Sequence, residues 1–267
     1  MSRRSRLDRE LVRRGLARSR EQAGALIESG RVQVKGTVAS KPATMVDAAD
    51  PVHVMADDTD PEYVSRGGHK LAGALAVFRP EGLRVEGRRC LDAGASTGGF
   101  TDVLLRAGAA EVVAVDVGYG QLAWSLRSDP RVHVHDRTNV RELTPEAIGG
   151  PVELTVADLS FISLRLVLPA LAACTTGDLV VMVKPQFEVG RGKVGSGGVV
   201  REPALRAEAV RGVAETAATI GLGVAGVTVS PLPGPAGNVE FFLWLRRGAS
   251  PLDPEELDRV VHEEVTG

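Results

Sequence analysis

No apolar run in this 267-residue chain exceeds about five residues, far short of the ~20 that a membrane-spanning helix needs. The basic N-terminal stretch is followed by no apolar segment, so no secretory signal is expected. Two cysteines, Cys90 and Cys174, are too few for a disulfide framework or a thiolate metal cluster, and the histidines show no ligand spacing. Internal repeats and low-complexity tracts are missing as well. These absences point to the cytoplasm, to a protein without membrane or metal, and to a chain expected to act as a monomer. What the chain has is ordinary: 43% hydrophobic and 25% charged residues, enough to bury a core.

The charges are unevenly spread. Residues 1–41 hold 11 of the 32 basic residues and only 4 of the 34 acidic ones. A basic segment on an acidic remainder predicts an anionic partner at that end. Leu7, Leu11 and Val12 have helical spacing, Gly15 interrupts, and Ser19 with Gln22 makes a capping-box pattern. Ala23, Leu26 and Ile27 continue the apolar stripe to Gly30, a C-terminal cap. Val32 and Val34 alternate with polar residues up to a turn at Gly36, and residues 43–56 offer one or two further short strands, including Val52–Met55. Asp57-Asp58-Thr59-Asp60-Pro61 reads as linker. The expected division is an RNA-binding domain over 1–60, a linker over 61–64, and a second domain over 65–267. Arg4, Arg6, Arg18, Arg20, Lys35 and Lys41 are the candidate phosphate contacts.

Beyond residue 62, apolar runs alternate with helical stretches. Strands are predicted at Arg89–Ala93, Val112–Val115, Val132–His135, Leu154–Ala157, Leu179–Val183, Val224–Val229 and Val239–Leu245. Intervening helices imply a mostly parallel sheet covered on both faces. The last two strands, joined by the short Pro231–Asn238 loop, form an antiparallel hairpin at one edge. The fold class is α/β: a seven-stranded, Rossmann-like methyltransferase sheet behind a small N-terminal α/β RNA-binding domain.

The first of these strands runs into Asp92-Ala93-Gly94-Ala95-Ser96-Thr97-Gly98-Gly99-Phe100. A dinucleotide site would space its glycines as G-x-G-x-x-G to seat a pyrophosphate. Here the spacing is G-x-x-x-G-G, and Asp92 just before it would repel a pyrophosphate. A carboxylate there suits the cationic S-adenosylmethionine. The second strand ends at Asp116, where ribose hydroxyls are commonly bound, and the third at Asp136-Arg137, where an adenine would lie. A tight turn explains any one of these features; it does not explain three acids after three successive strands. The cofactor-binding candidates are therefore Asp92, Gly94, Ser96, Thr97, Gly98, Gly99, Phe100, Asp116, Asp136 and Arg137.

The fourth strand ends at Asp158 and the fifth at Lys184, while Glu240 begins the last strand and Lys70 opens the domain's first helix. Tyr63–Leu71, Leu91–Thr101 and Val183-Lys184-Pro185-Gln186-Phe187-Glu188 resemble the TlyA (hemolysin A) family of rRNA methyltransferases along essentially the whole chain. The N-terminal segment resembles the small RNA-binding domain of a ribosomal protein, and the rest resembles FtsJ-like ribose methyltransferases with a Lys-Asp-Lys-Glu tetrad. Carried over by motif, that tetrad falls on Lys70, Asp158, Lys184 and Glu240. The resemblance implies S-adenosylmethionine-dependent 2′-O-methylation of cytidine in ribosomal RNA of the large subunit and, in longer members, of the small subunit. The basic N-terminus and the C-terminal helix (253–265) are like the longer type, and the implied partners are ribosomal RNA and ribosomal subunits. In this scheme Lys184 acts at the hydroxyl, Asp158 orients it, and Lys70 lies nearby with Glu240.

Rival readings are a membrane-acting haemolysin, a nicotinamide oxidoreductase, and an RNA-binding module with a decayed enzyme fold. The missing apolar span opposes the first, the glycine spacing the second and the complete tetrad the third. Both cysteines, Trp124 and Trp244 are expected in the core, and the histidines in structural or surface positions. Phe161 is the aromatic residue expected to reach a base, with core packing as its alternative. The glycine-rich residues 187–200 predict a mobile loop over the active site.

Overall fold

The computed structural model describes residues 4–17, 20–47, 49–55 and 62–262. The candidate contact Arg18, the cap residue Ser19 with the side chain of Gln22, the linker residues 57–61 and the end of the C-terminal helix lie outside the described residues. The chain divides into two compact units, Met1–Glu62 and Tyr63–Gly267.

The N-terminal unit runs β1 (Ser5–Arg6), α1 (Leu7–Arg13), α2 (Arg20–Glu28), β2 (Val32–Val34), β3 (Thr37–Val38), β4 (Met45–Val46) and β5 (Val52–Val54). Leu7, Leu11, Ala23, Ile27 and Val32 are its buried centre. The β2–β3 turn uses Lys35 and Gly36, both at positive φ, the backbone hand that suits a two-residue hairpin. β1 pairs antiparallel with β4, a two-residue ladder too short to leave a hydrophobic pattern.

The second unit begins with α3 (Arg66–Phe78), then β6 (Arg89–Ala93), α4 (Gly99–Arg106), β7 (Glu111–Val115), α5 (Trp124–Arg127), β8 (Val132–His135) and β9 (Val152–Ala157). It continues with α6 (Leu164–Cys174), β10 (Thr175–Val183), α7 (Pro185–Glu188), α8 (Pro203–Thr219), β11 (Leu222–Val229), β12 (Phe241–Arg247) and α9 (Pro254–His262). All seven strands form one sheet in the order β11-β12-β10-β9-β6-β7-β8. Only β12 is antiparallel to its neighbours β10 and β11; the β6–β10 strands pair in parallel. The chain leaves β6 in one direction and returns at β9 on its other side, the kind of switch point where ligands of open α/β sheets bind.

Alternating side chains feed two apolar layers. Leu179, Val181 and Val183 face α6, α8 and α9, whereas Val180 and Met182 face α3 and α4. Cys90 and Cys174 are both buried. Trp244 is buried as expected, but Trp124 is 79% exposed: α5 is a single turn that buries only Leu126, so the core expectation for Trp124 fails. Tyr63 and Val64, read as linker, are tied into the second unit, since the Val64 amide donates to Asp102 at 3.0 Å and Tyr63 packs edge-on against His69. The last strand starts at Phe241, so Glu240 stands one residue ahead of it.

Asp178 in β10 is buried and accepts from Arg88 (2.6 Å), Arg246 (2.7 Å) and Trp244 (2.8 Å). Burial alone would raise its carboxyl, but the bonds from Arg246, Arg88 and Trp244 outweigh this and hold it below the usual range. A depressed carboxyl contributes stability above its unfolded value, about 4, and loses it as pH falls through the folded value. Asp178→Asn should therefore cost roughly 1–3 kcal/mol at neutral pH. The loss should shrink below pH ~4, as calorimetric Tm values across that range would show.

Candidate active site

Register places the strand-end residues side by side. Ala93 pairs with Ala157, and Ala157 with Val181, so Gly94 and Asp158 emerge at one level. Val183 pairs with Phe241, so one step further sets Glu240 across from Lys184. Neighbouring strands lie about 4.8 Å apart, which brings these side chains within reach of one another.

They meet as two ion pairs. Lys184 Nζ lies 2.5 Å from Asp158 Oδ1, off the hydrogen-bond line, and donates to Ser160 Oγ at 3.0 Å. Lys70 Nζ donates to Glu240 Oε2 at 2.5 Å. Lys70, Lys184 and Glu240 are buried, and a buried charge persists only when matched and hydrogen-bonded. Each expected lysine thus has its own carboxylate, and Asp158 faces Lys184 as expected. Ser160 was missed; its only sequence signal is its place two residues after Asp158.

A pocket of about 120 Å³ opens beside them, lined by Ser65, Gly67, Gly94–Thr97, Gly99, Phe100 and Asp158. Ser65 and Gly67, at the start of α3, are additions to the expected set, and Lys70 lies one turn further along that helix. Gly99 is needed for this junction: a Cβ there would sit 2.3 Å from Ser65 Oγ and 2.8 Å from the Gly68 amide. Gly94, at positive φ, would place a Cβ 2.4 Å from the Asp158 carbonyl oxygen. The backbone that Gly94 must admit is therefore the Asp158 strand end, and Gly94 also lines the pocket. Gly98 packs under Leu122 and Leu126.

Five expected cofactor residues, Gly98 among them, stand outside this wall. Asp116 accepts from the Ser96 amide (2.8 Å) and the Gly118 amide (2.7 Å), so it braces the glycine turn. Asp136 takes Arg127 and the Gly120 amide, and Arg137 lies over the Tyr119 ring at 4.4 Å. Asp92 is fully buried beneath the turn, with Oδ2 accepting from Thr101 at 2.7 Å and Oδ1 without a hydrogen-bond partner. A wider hollow of about 380 Å³, between Arg165, Glu188 and α8, holds none of the strand-end residues. Phe161 is 90% exposed, which rules out core packing, and touches Phe187 at 5.3 Å between ring centroids.

In the N-terminal unit, Arg6 and Arg20 both bond Asp8 and Lys35 pairs with Asp50 at 2.8 Å, while Arg4 and Lys41 are exposed. Three of the expected phosphate contacts therefore already face a carboxylate. Arg6, chiefly through its hydrogen bonds, holds Asp8 well below the usual carboxylate range.

A model of the FtsJ-like methyltransferase family matches residues 63–247, and one of the S4 domain matches residues 5–52. The 16S/23S rRNA (cytidine-2′-O)-methyltransferase TlyA of Mycobacterium tuberculosis is 60% identical over 100% of this chain and 99% of its own length. Hemolysin A of Brachyspira hyodysenteriae is 36% identical over 88% of this chain and 97% of its own. A solved Streptococcus thermophilus structure described as a hemolysin matches with TM-score 0.75 at 40% identity, covering 98% of this chain and 95% of its own. The sheet is that of a methyltransferase, and the chain belongs to the FtsJ-like family and, within it, to the TlyA (hemolysin A) group.

Burial pushes the Asp92 carboxyl up to about 7. A carboxyl raised on folding holds its proton more tightly in the folded chain, so stability falls as pH climbs from the unfolded value, about 4, to the folded one. Without ligand, Tm should decline over that interval, and Asp92→Asn should remove much of the decline. A decline unchanged in the variant would assign it to other groups.

Proposed function

We propose that the chain transfers a methyl group from S-adenosylmethionine to the 2′-hydroxyl of cytidine in ribosomal RNA. The observation that carries this reading is the pair of buried lysine–carboxylate contacts beside the glycine turn. The M. tuberculosis relative is named for both 16S and 23S rRNA, which extends the proposal to both subunits.

Gly94–Thr97, Gly99 and Phe100, with Ser65 and Gly67, would hold the cofactor. An unpartnered acceptor on Asp92 below the turn and Asp158 in the wall suit a cationic ligand. Asp116 keeps lone pairs for ribose hydroxyls, and Asp136 and Arg137 stand on the adenine side. When bound, S-adenosylmethionine supplies an electrophilic methyl, its C–S bond breaking with the electron pair left on sulfur as the O–C bond forms.

A ribose hydroxyl is a poor nucleophile near neutral pH and needs a group that takes its proton or stabilises the developing negative charge. Lys184 is placed at the hydroxyl, and the proton passes into the Lys184–Asp158 pair. Lys70 and Glu240 hold the ribose from the α3 side. Phe161, exposed three residues after Asp158, offers a face to the base. The N-terminal unit contributes phosphate contacts through Arg4, Arg6, Arg18, Arg20, Lys35 and Lys41. No described helix is long and apolar enough to cross a membrane.

Lys184→Ala should keep cofactor and RNA binding and lose turnover. Lys184→Arg should fail nearly as badly, because a guanidinium carries the charge but does not give up its proton. A near-wild-type Lys184→Arg in a methyl-transfer assay would reduce the lysine to a fixed charge. RNA with 2′-deoxycytidine at the target should bind and stay unmethylated; its methylation would overturn the ribose reading.

Neutralising Arg4, Arg6, Arg18 and Arg20 together should weaken RNA binding and flatten its salt dependence, since phosphate contacts release counterions. An unaltered salt slope, with cofactor affinity as the control, would make the basic segment a solvated face.

A further inference from the structure

The Asp158–Lys184 pair joins two loops that have no covalent reason to stay in register. Residues 158–163 leave β9 and carry Asp158 and Ser160; residues 184–188 leave β10 and carry Lys184. Phe161 in the first loop has φ +65°, an uncommon and strained conformation for a bulky residue. Such a loop keeps its shape only if its surroundings hold it.

The hold comes from Glu188, the last residue of α7. Its buried carboxylate accepts from Ser163 Oγ at 2.6 Å and from the Leu164 amide at 2.7 Å, capping the first turn of α6. Arg165 donates back to the Glu188 carbonyl at 2.9 Å. Glu188 is fixed to Lys184 by its own turn, in which the Phe187 amide bonds the Lys184 carbonyl (2.9 Å) and the Val189 amide the Pro185 carbonyl (3.0 Å). The Phe161–Phe187 contact ties the same loops a second time. Lys184 has three N–H donors. With Nζ held beside Asp158 and one N–H on Ser160, a donor stays aimed at a substrate oxygen only while both loops hold their places.

We propose that Glu188 is a positioning residue: its carboxylate latches the loop bearing Asp158 and Ser160 to the turn bearing Lys184, and so sets the geometry around the Lys184 ammonium. This rests on the reading of Lys184 as the group at the hydroxyl. Glu188 bonds neither Lys184 nor Asp158, so it acts through the loops.

The test uses the full chain, a ribosomal RNA transcript and labelled S-adenosylmethionine. Glu188→Ala should lower kcat on the order of 100-fold, as misplacement of about an ångström does, while KM for RNA and cofactor Kd stay within about twofold. Glu188→Gln accepts from the Leu164 amide and donates to the Ser163 hydroxyl, so it should restore most of the turnover. Ser163→Ala should lower kcat less and add little to Glu188→Ala, because the contact it cuts is one of those that Glu188→Ala already removes; it also serves if Glu188→Ala fails to fold. Turnover near wild type in both Glu188→Ala and Ser163→Ala would overturn the proposal. Glu188→Gln as poor as Glu188→Ala would also overturn it, assigning the effect to the negative charge. A fully active Lys184→Ala would instead sink the reading on which it rests.

Discussion

An ammonium group taken out of water must find an anion within reach, and at the mouth of this sheet two of them do so. Lys70 meets Glu240 and Lys184 meets Asp158, each at 2.5 Å. Neither pair is local in sequence; both exist because the carboxyl ends of β6, β9 and β10 and the antiparallel start of β12 arrive at the same level. The sheet register is thus an electrostatic requirement as well as a packing one. A slip of one residue would turn every side chain of a strand to the other face and leave two charges buried without partners.

The strands were legible because each is a short apolar run, and four of them are followed at once by a charged residue: Asp116, Asp136, Asp158 and Lys184. The hairpin of β11 and β12 could be read from the short Pro231–Asn238 connection. Pattern does not tell where a strand-end side chain turns. Asp116 faces the Ser96 amide of the glycine turn and Asp136 faces Arg127 of α5, contacts that apolar periodicity does not carry. Trp124 could not be placed because a one-turn helix leaves no periodicity. Glu188 was invisible as a latch because its partners lie 24 and 25 residues away, on another loop.

Charge counting also overstated what the N-terminal unit presents to an anion. Asp8 and Glu10 are buried and fork-bonded to Arg6 and Arg13, so part of the basic excess is answered within the unit. Each guanidinium keeps further donors beyond those used, and the carboxylates fix the planes of the arginines they hold. Orientation is a property that composition cannot carry.

The insertion of β12 between β10 and β11 governs when the site can exist during synthesis. Lys70 and its partner Glu240 are 170 residues apart, and the strand that follows Glu240 ends only at Arg247. A growing chain can pair β6–β10 in order of emergence, yet Lys70 waits for a carboxylate that is made 170 residues after it. The Lys70–Glu240 contact is therefore one of the last that the nascent chain can form, long after the N-terminal unit has been made.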